Sequence, residues 1–124
     1  MPDTRLEISK YFTFEAAHYF EHKPDAHPFK RMHGHSFAGT VTLAGHPNDE
    51  AGWVKDFWEI EDAIKSVTGL IDHRLLNEIE GLEKPSLEAL AKFVFDRLVP
   101  KLPGLVAVEI RRPSCGEKAV LRRG

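Results

Sequence analysis

"FEAAHYFEHKPDAHPFKRMHGHSF", residues 14–37, decides how this chain folds, because both of its ends belong to strands and its middle does not. Working outward from the first end, Leu6, Ile8, Phe12, Phe14 and Ala16 share one parity, while Glu7, Ser9, Thr13 and Glu15 share the other. That alternation predicts a half-buried strand over residues 6–18. His18 continues the apolar parity, so its imidazole points to the side of Phe12 and Phe14. The other end behaves alike from about Met32 to Leu43, with His33, His35, Phe37, Val41 and Leu43 on one face and Ser36, Thr40 and Thr42 on the other. Between them "YFEHKPDAHPFKR" carries two prolines and mixed charge, and reads as a long loop that lies as a lid over the histidine side.

Beyond this hairpin the period changes from two to about 3.6. Asp56 with Glu59 three residues later is a capping-box variant, and Phe57, Ile60, Ile64 and Val67 recur at helical spacing up to Gly69. A second helix opens after Ser86 as N-cap, shows Leu87, Leu90, Ala91, Val94 and Leu98 as a stripe, and stops before Pro100. Both stripes read as core. "GLVAVEIRRPSCGEKAVLRR", residues 104–123, gives a third strand with Val106, Val108 and Ile110 on one face, a turn at "PSCGE", and a fourth strand around Lys118 to Leu121. The order β-β-α-α-β-β predicts an α+β fold, a four-stranded antiparallel sheet with two helices on one face, in a single domain over residues 1–124. Four strands are too few to close a barrel, so the exposed sheet edges point to oligomerisation.

Composition narrows the partners. The chain has 124 residues, 42% hydrophobic, with 17 basic and 19 acidic side chains, which suits one compact domain and gives no field to draw in nucleic acid or an anionic membrane. No apolar run approaches the roughly 20 residues that span a bilayer, and "MPDTRLEISKYF" lacks a signal peptide's apolar stretch. The single cysteine, Cys115, forms no internal disulfide. These features predict a soluble, cytoplasmic protein with a small-molecule or protein partner.

The histidines carry the chemistry. His33-Gly34-His35 places two imidazoles on one strand face about 6.6 Å apart along the chain, close enough to share an ion. With His18 on the neighbouring strand, they form a triangular site of the kind that holds catalytic zinc by three nitrogens and leaves a fourth position open. A lone inward histidine is ordinarily a satisfied core residue. Three on one face are hard to read that way, because each needs its own polar partners; the ligand type favours zinc. His22, His27 and His46 fall in loop-like stretches and read as solvated surface, with His22 and His27 able to line the mouth of the site. In "GLIDHRLLNE", residues 69–78, Asp72 beside His73 supplies either a general acid or base near neutral pH or a loop anchor.

"FTFEAAH", "HGHSF", "GWVKDF", "IDHRLLN" and "PSLEALAKFVFDRL", in this order and spacing, resemble the 6-pyruvoyl tetrahydropterin synthase family, especially its bacterial branch, 6-carboxytetrahydropterin synthase of queuosine biosynthesis. The resemblance covers nearly the whole chain. It implies a tunnelling fold in which three subunits close a barrel and two trimers stack into a homohexamer. It implies that His18, His33 and His35 match zinc ligands and that Asp72 and His73 match a proton-relay pair at a subunit interface. It also implies a substrate of the 7,8-dihydroneopterin triphosphate kind, with zinc polarising its side-chain hydroxyls.

Two positions depart from that pattern. The family places a catalytic cysteine four residues before the first histidine of HxH; here Phe29 stands there, and a phenyl ring neither accepts nor donates a proton. The family carries a pterin-binding glutamate at the end of the third strand; aligning "AVEIRRP" puts Arg112 there, on the inward parity of Val108 and Ile110. Arginine offers only donors, so Arg112 suits a carboxylate, carbonyl or phosphate, or else pairs structurally with a carboxylate such as Asp72. Glu109 has the wrong parity and Glu117 lies past the turn, and Cys115 reads as an inert turn residue. The expectation is a zinc-binding homologue, a lyase-like enzyme on a small hydroxylated, pterin-like or anionic metabolite. The alternatives are retained synthase activity on 7,8-dihydroneopterin triphosphate and a non-catalytic zinc- or ligand-binding protein.

Overall fold

The computed structural model describes residues 4–24 and 27–124. Strand β1, Leu6–His18, pairs antiparallel with β2, His33–Gly45, in unbroken register from Leu6 opposite Gly45 to His18 opposite His33. The lid loop joins them, with Asp25 and Ala26 lying outside the described residues. Helix α1, Phe57–Thr68, is followed by a two-residue strand β3, Arg74–Leu75, and by helix α2, Leu87–Leu98. Strands β4, Leu105–Arg112, and β5, Glu117–Arg122, close the chain as a hairpin. The sheet order is β3-β1-β2-β4-β5, and both helices pack on the sheet, α1 against β1 and α2 against β4 and β5.

The α+β class with two helices is therefore as expected, while the sheet has five strands instead of four and one parallel pairing. The extra strand is too short to show a period. It forms because His73 turns the chain at φ +60° and gives its N–H to the Glu15 carbonyl, which sets Arg74 beside Ala16 and Leu75 beside Ala17.

Alternation along β1 and β2 turns Phe14, Ala16, His18, Phe37, Val41 and Leu43 inward as the pattern named, whereas Ile8 and Phe12 are only half buried and Leu6, at the start of β1, is exposed. Phe14 and Phe37 face each other across the register and stack at 4.9 Å, and Val41, Leu43, Ile60, Ile64, Leu90 and Leu98 join them in one core cluster. Gly39 is required for this packing: a Cβ there would lie 2.2 Å from the Phe12 ring that faces it.

The helix caps form as predicted, with Asp56 accepting from the Trp58 N–H and Ser86 from the Ala89 N–H, each worth about 1 kcal/mol. Glu59 does not complete a capping box; it pairs with Lys55 at 3.1 Å. Phe57, expected in the buried stripe, is 47% exposed at the open first turn of α1. In β4 the parity also departs from expectation. A bulge shifts the register between Thr42 and Leu43, so Leu105 takes the inward place and Val106 is only half buried.

Candidate metal centre

His18 ends β1 and His33 begins β2, and the antiparallel register sets them directly opposite each other. His35, two residues on, returns to the same face. Ring centroids lie 4.6 Å (His18 to His33), 5.0 Å (His18 to His35) and 4.9 Å (His33 to His35) apart, and one nitrogen of each falls within 4.8 Å of the others. The three predicted ligands are thus brought together, and the triad can hold a metal ion.

Backbone carbonyls orient two of the rings. His18 Nδ1 lies 3.2 Å from the Pro85 oxygen and His33 Nδ1 lies 2.7 Å from the Arg31 oxygen. A carbonyl only accepts, so both Nδ1 atoms carry the proton and both Nε2 atoms keep a free lone pair. His18 is fully buried, yet its Nε2 has no hydrogen-bond partner among the described residues. An orphaned buried nitrogen costs about 1–3 kcal/mol unless something ligates it. Burial, then the neighbouring His33, lowers the His18 pKa from 6.5 to about 4, against the opposing Pro85 hydrogen bond. Burial and His33 also lower that of His35, with Arg112 adding to the effect and Glu117 opposing it. Both rings are therefore neutral at pH 7, the state that binds metal. The donor set fits a cation.

The lid loop supplies an aromatic rim. Phe20 packs on His18 at 4.9 Å, Phe29 lies nearly parallel to His33 at 5.9 Å, and the Phe20 N–H donates to the Phe29 carbonyl. Phe29 is half exposed, so it walls the site and does not plug it. His22 is exposed beside Phe20, whereas His27, expected as plain surface, caps a short helical turn by accepting the Phe29 N–H at Nδ1. His46 is exposed, as read.

Asp72 and His73 sit at the edge of β1. Asp72 accepts the Glu15 N–H at 2.9 Å through Oδ1 and meets His73 Nδ1 at 3.0 Å through Oδ2; these contacts, the Glu15 one first, lower its pKa. The anchoring role foreseen for Asp72 is present. The His73 ring is 77% exposed and borders an open cleft of about 490 Å³ with Glu15, Ser36, Gly34, Arg74 and His35. Among the described residues it makes no hydrogen bond or ring contact with the triad, so cleft and triad meet only at His35.

Arg112 does not pair with Asp72. The β4–β5 register sets it opposite Glu117, and Nη2 meets Glu117 Oε1 at 2.9 Å. The turn Pro113–Cys115 and Gly116 at φ +68° bring Glu117 back beside it. The Arg112 side chain is only 14% exposed, and its Nε is buried with no hydrogen-bond partner among the described residues. Sequence reasoning missed Glu117 because it counted along the chain; folding "RRPSCGE" as a tight hairpin would have found it. Cys115 is exposed, with Ser114 Oγ 3.9 Å away.

The family model of 6-pyruvoyl tetrahydropterin synthase matches residues 7–123. The chain belongs to this family. It is 38% identical over 109 residues to the 6-carboxy-5,6,7,8-tetrahydropterin synthase of Synechocystis sp., covering 83% of each chain. To the Bacillus subtilis protein of the same name it is 30% identical over 116 residues, 89% of this chain and 74% of that one. Among solved structures, the Caenorhabditis elegans 6-pyruvoyl tetrahydropterin synthase superposes with a TM-score of 0.85 over 98% of this chain and 97% of the other, at 22% identity. That likeness gives the 6-pyruvoyl tetrahydropterin synthase fold. The relatives matched by sequence are synthases, and no helix of this chain, among the described residues, is long and apolar enough to cross a membrane.

Proposed function

We propose that this protein is a zinc-dependent, lyase-type member of the 6-pyruvoyl tetrahydropterin synthase family that acts on a small hydroxylated metabolite, with substrate or chemistry altered at Phe29 and Arg112. The observation that carries the reading is the convergence of His18, His33 and His35, with Nε2 lone pairs set by the Pro85 and Arg31 carbonyls. An all-imidazole donor set with one open position favours zinc, which when bound supplies a Lewis acid for a ligated hydroxyl or carbonyl.

The chain's own residues divide the remaining work. Phe20 and Phe29 shield the open side from water. Phe29 holds no proton, so proton transfer falls to His73, oriented by Asp72. The exposure of His73 supports a role across a subunit interface, and the open edges of the sheet support a homohexamer built as two trimers. Arg112 takes an anionic or carbonyl group of the substrate. Residues 1–124 act as one domain, in the cytoplasm, on a small molecule and not on nucleic acid or membrane.

A second reading, unaltered synthase activity on 7,8-dihydroneopterin triphosphate, draws support from the 38% identity to the Synechocystis synthase. Zinc-loaded protein incubated with that compound, followed for triphosphate or acetaldehyde release and for the pterin product, separates the two. Zinc-dependent turnover that also needs His73 selects the second reading. No turnover from protein that holds zinc supports an altered substrate. Protein that takes up no zinc overturns both.

A further inference from the structure

Arg112 is charged, mostly buried and only partly satisfied: Glu117 takes Nη2, while Nε faces no acceptor. The register of Ala38 with Arg111 sets Arg112 beside Phe37, on the inward parity shared by His35. Its charge reaches both His18 and His35, and that of Glu117 opposes it at His35. A guanidinium whose charge reaches two of the three cation ligands weakens cation binding, so it is out of place in a site that holds metal alone. It fits a site whose ligand brings its own negative charge.

Resting on the metal-site reading above, we infer that Arg112 is the specificity-determining residue of this site, selecting ligands that carry a carboxylate next to a metal-binding oxygen. The ligand class is a 2-hydroxy- or 2-oxocarboxylate. Glu117 is the internal carboxylate that such a ligand displaces: it already shows that the guanidinium accepts this group, and half of its side chain is in solvent, free to swing away. The planar fork then has Nε and the vacated Nη2 for two parallel hydrogen bonds to one carboxylate. Phe29 packs beside His33, while the register puts Arg112 next to Phe37, two residues from His35 on the same face, so the site has an apolar wall and an anion-binding group on different sides.

Titrating zinc-loaded protein with glycolate and with ethylene glycol by calorimetry tests this. Glycolate should bind at least about tenfold tighter than ethylene glycol, the range expected for hydrogen bonds to a charged group. Arg112→Gln should abolish that preference with zinc content unchanged, Arg112→Lys should restore part of it, and Glu117→Gln should tighten glycolate. Arg112→Gln protein that holds full zinc and binds glycolate as tightly as wild type overturns the inference and leaves the metal site standing. Wild type that takes up no zinc overturns the metal-site reading itself. Glu117→Gln alters a half-exposed side chain, so it remains a test if Arg112→Gln fails to fold; unchanged glycolate affinity there overturns the displacement.

Discussion

The histidine triad and the Asp72–His73 pair both draw on β1, yet one is finished within the chain and the other is not. His18 is enclosed on every side, and it and His33 are each tied by Nδ1 to a backbone carbonyl. His73 is tied through its backbone and through Asp72, while 77% of its side chain remains in solvent. The triad is preorganised to receive an ion. The pair is preorganised only at its base, with the working end of the imidazole open to whatever docks there.

The largest expected effect breaks the triad. His33→Ala should strip most metal from the purified protein and abolish any metal-dependent activity. The loss of affinity should exceed the roughly 10- to 100-fold that removing an outer partner costs. Metal analysis checks it, and full retention rules out a three-histidine site. His73→Ala should leave metal content intact and lower kcat by about 10²- to 10⁴-fold, the usual worth of a positioned acid or base. If instead it releases metal, the two regions are one unit and the contrast between them is wrong.

The contrast also explains what was legible from the sequence. Strand parity located His18, His33 and His35 because a half-buried strand repeats every two residues over a dozen positions, and the β1–β2 register bears the pairing out residue by residue. Ser86 and Asp56 were readable because a cap is a local hydrogen bond. The two-residue β3 was not, since it depends on a left-handed His73 and on the Glu15 carbonyl fifty-eight positions away in sequence. Nor was Val106, whose outward turn comes from a bulge that involves the partner strand. Glu117 was missed because a hairpin register is a property of two strands together.

A pH titration of metal-free protein sharpens the difference next. His18 has its folded-state pKa lowered to about 4, by burial first and then by His33, whereas unfolded it titrates near 6.5. The unfolded chain therefore binds more protons between those values, so stability is fully present above about 6.5 and falls as pH drops towards 4. At about 1.4 kcal/mol per unit, the loss is at most about 3 kcal/mol. Urea midpoints measured from pH 7 to 4 should decline, and the decline attributable to His18 should vanish in His18→Gln. Zinc should suppress it in wild type by holding the neutral form.

The smallest effect belongs to Asp72. Its pKa is lowered, chiefly by the Glu15 N–H and then by His73, so whatever stability it lends is present above its unfolded pKa and lost as pH falls through the lower folded one. Asp72→Asn keeps an oxygen for the Glu15 N–H and replaces the carboxylate oxygen that faces His73 with an amide NH2. Stability should therefore move little, as for most surface changes. Metal content should not move, while kcat should fall, though by less than in His73→Ala, because the ring loses the carboxylate that orients it. A drop in thermal midpoint with kcat unchanged would make Asp72 a loop anchor alone. The proton role at the edge of β1 would then rest on His73 without a partner in its own chain.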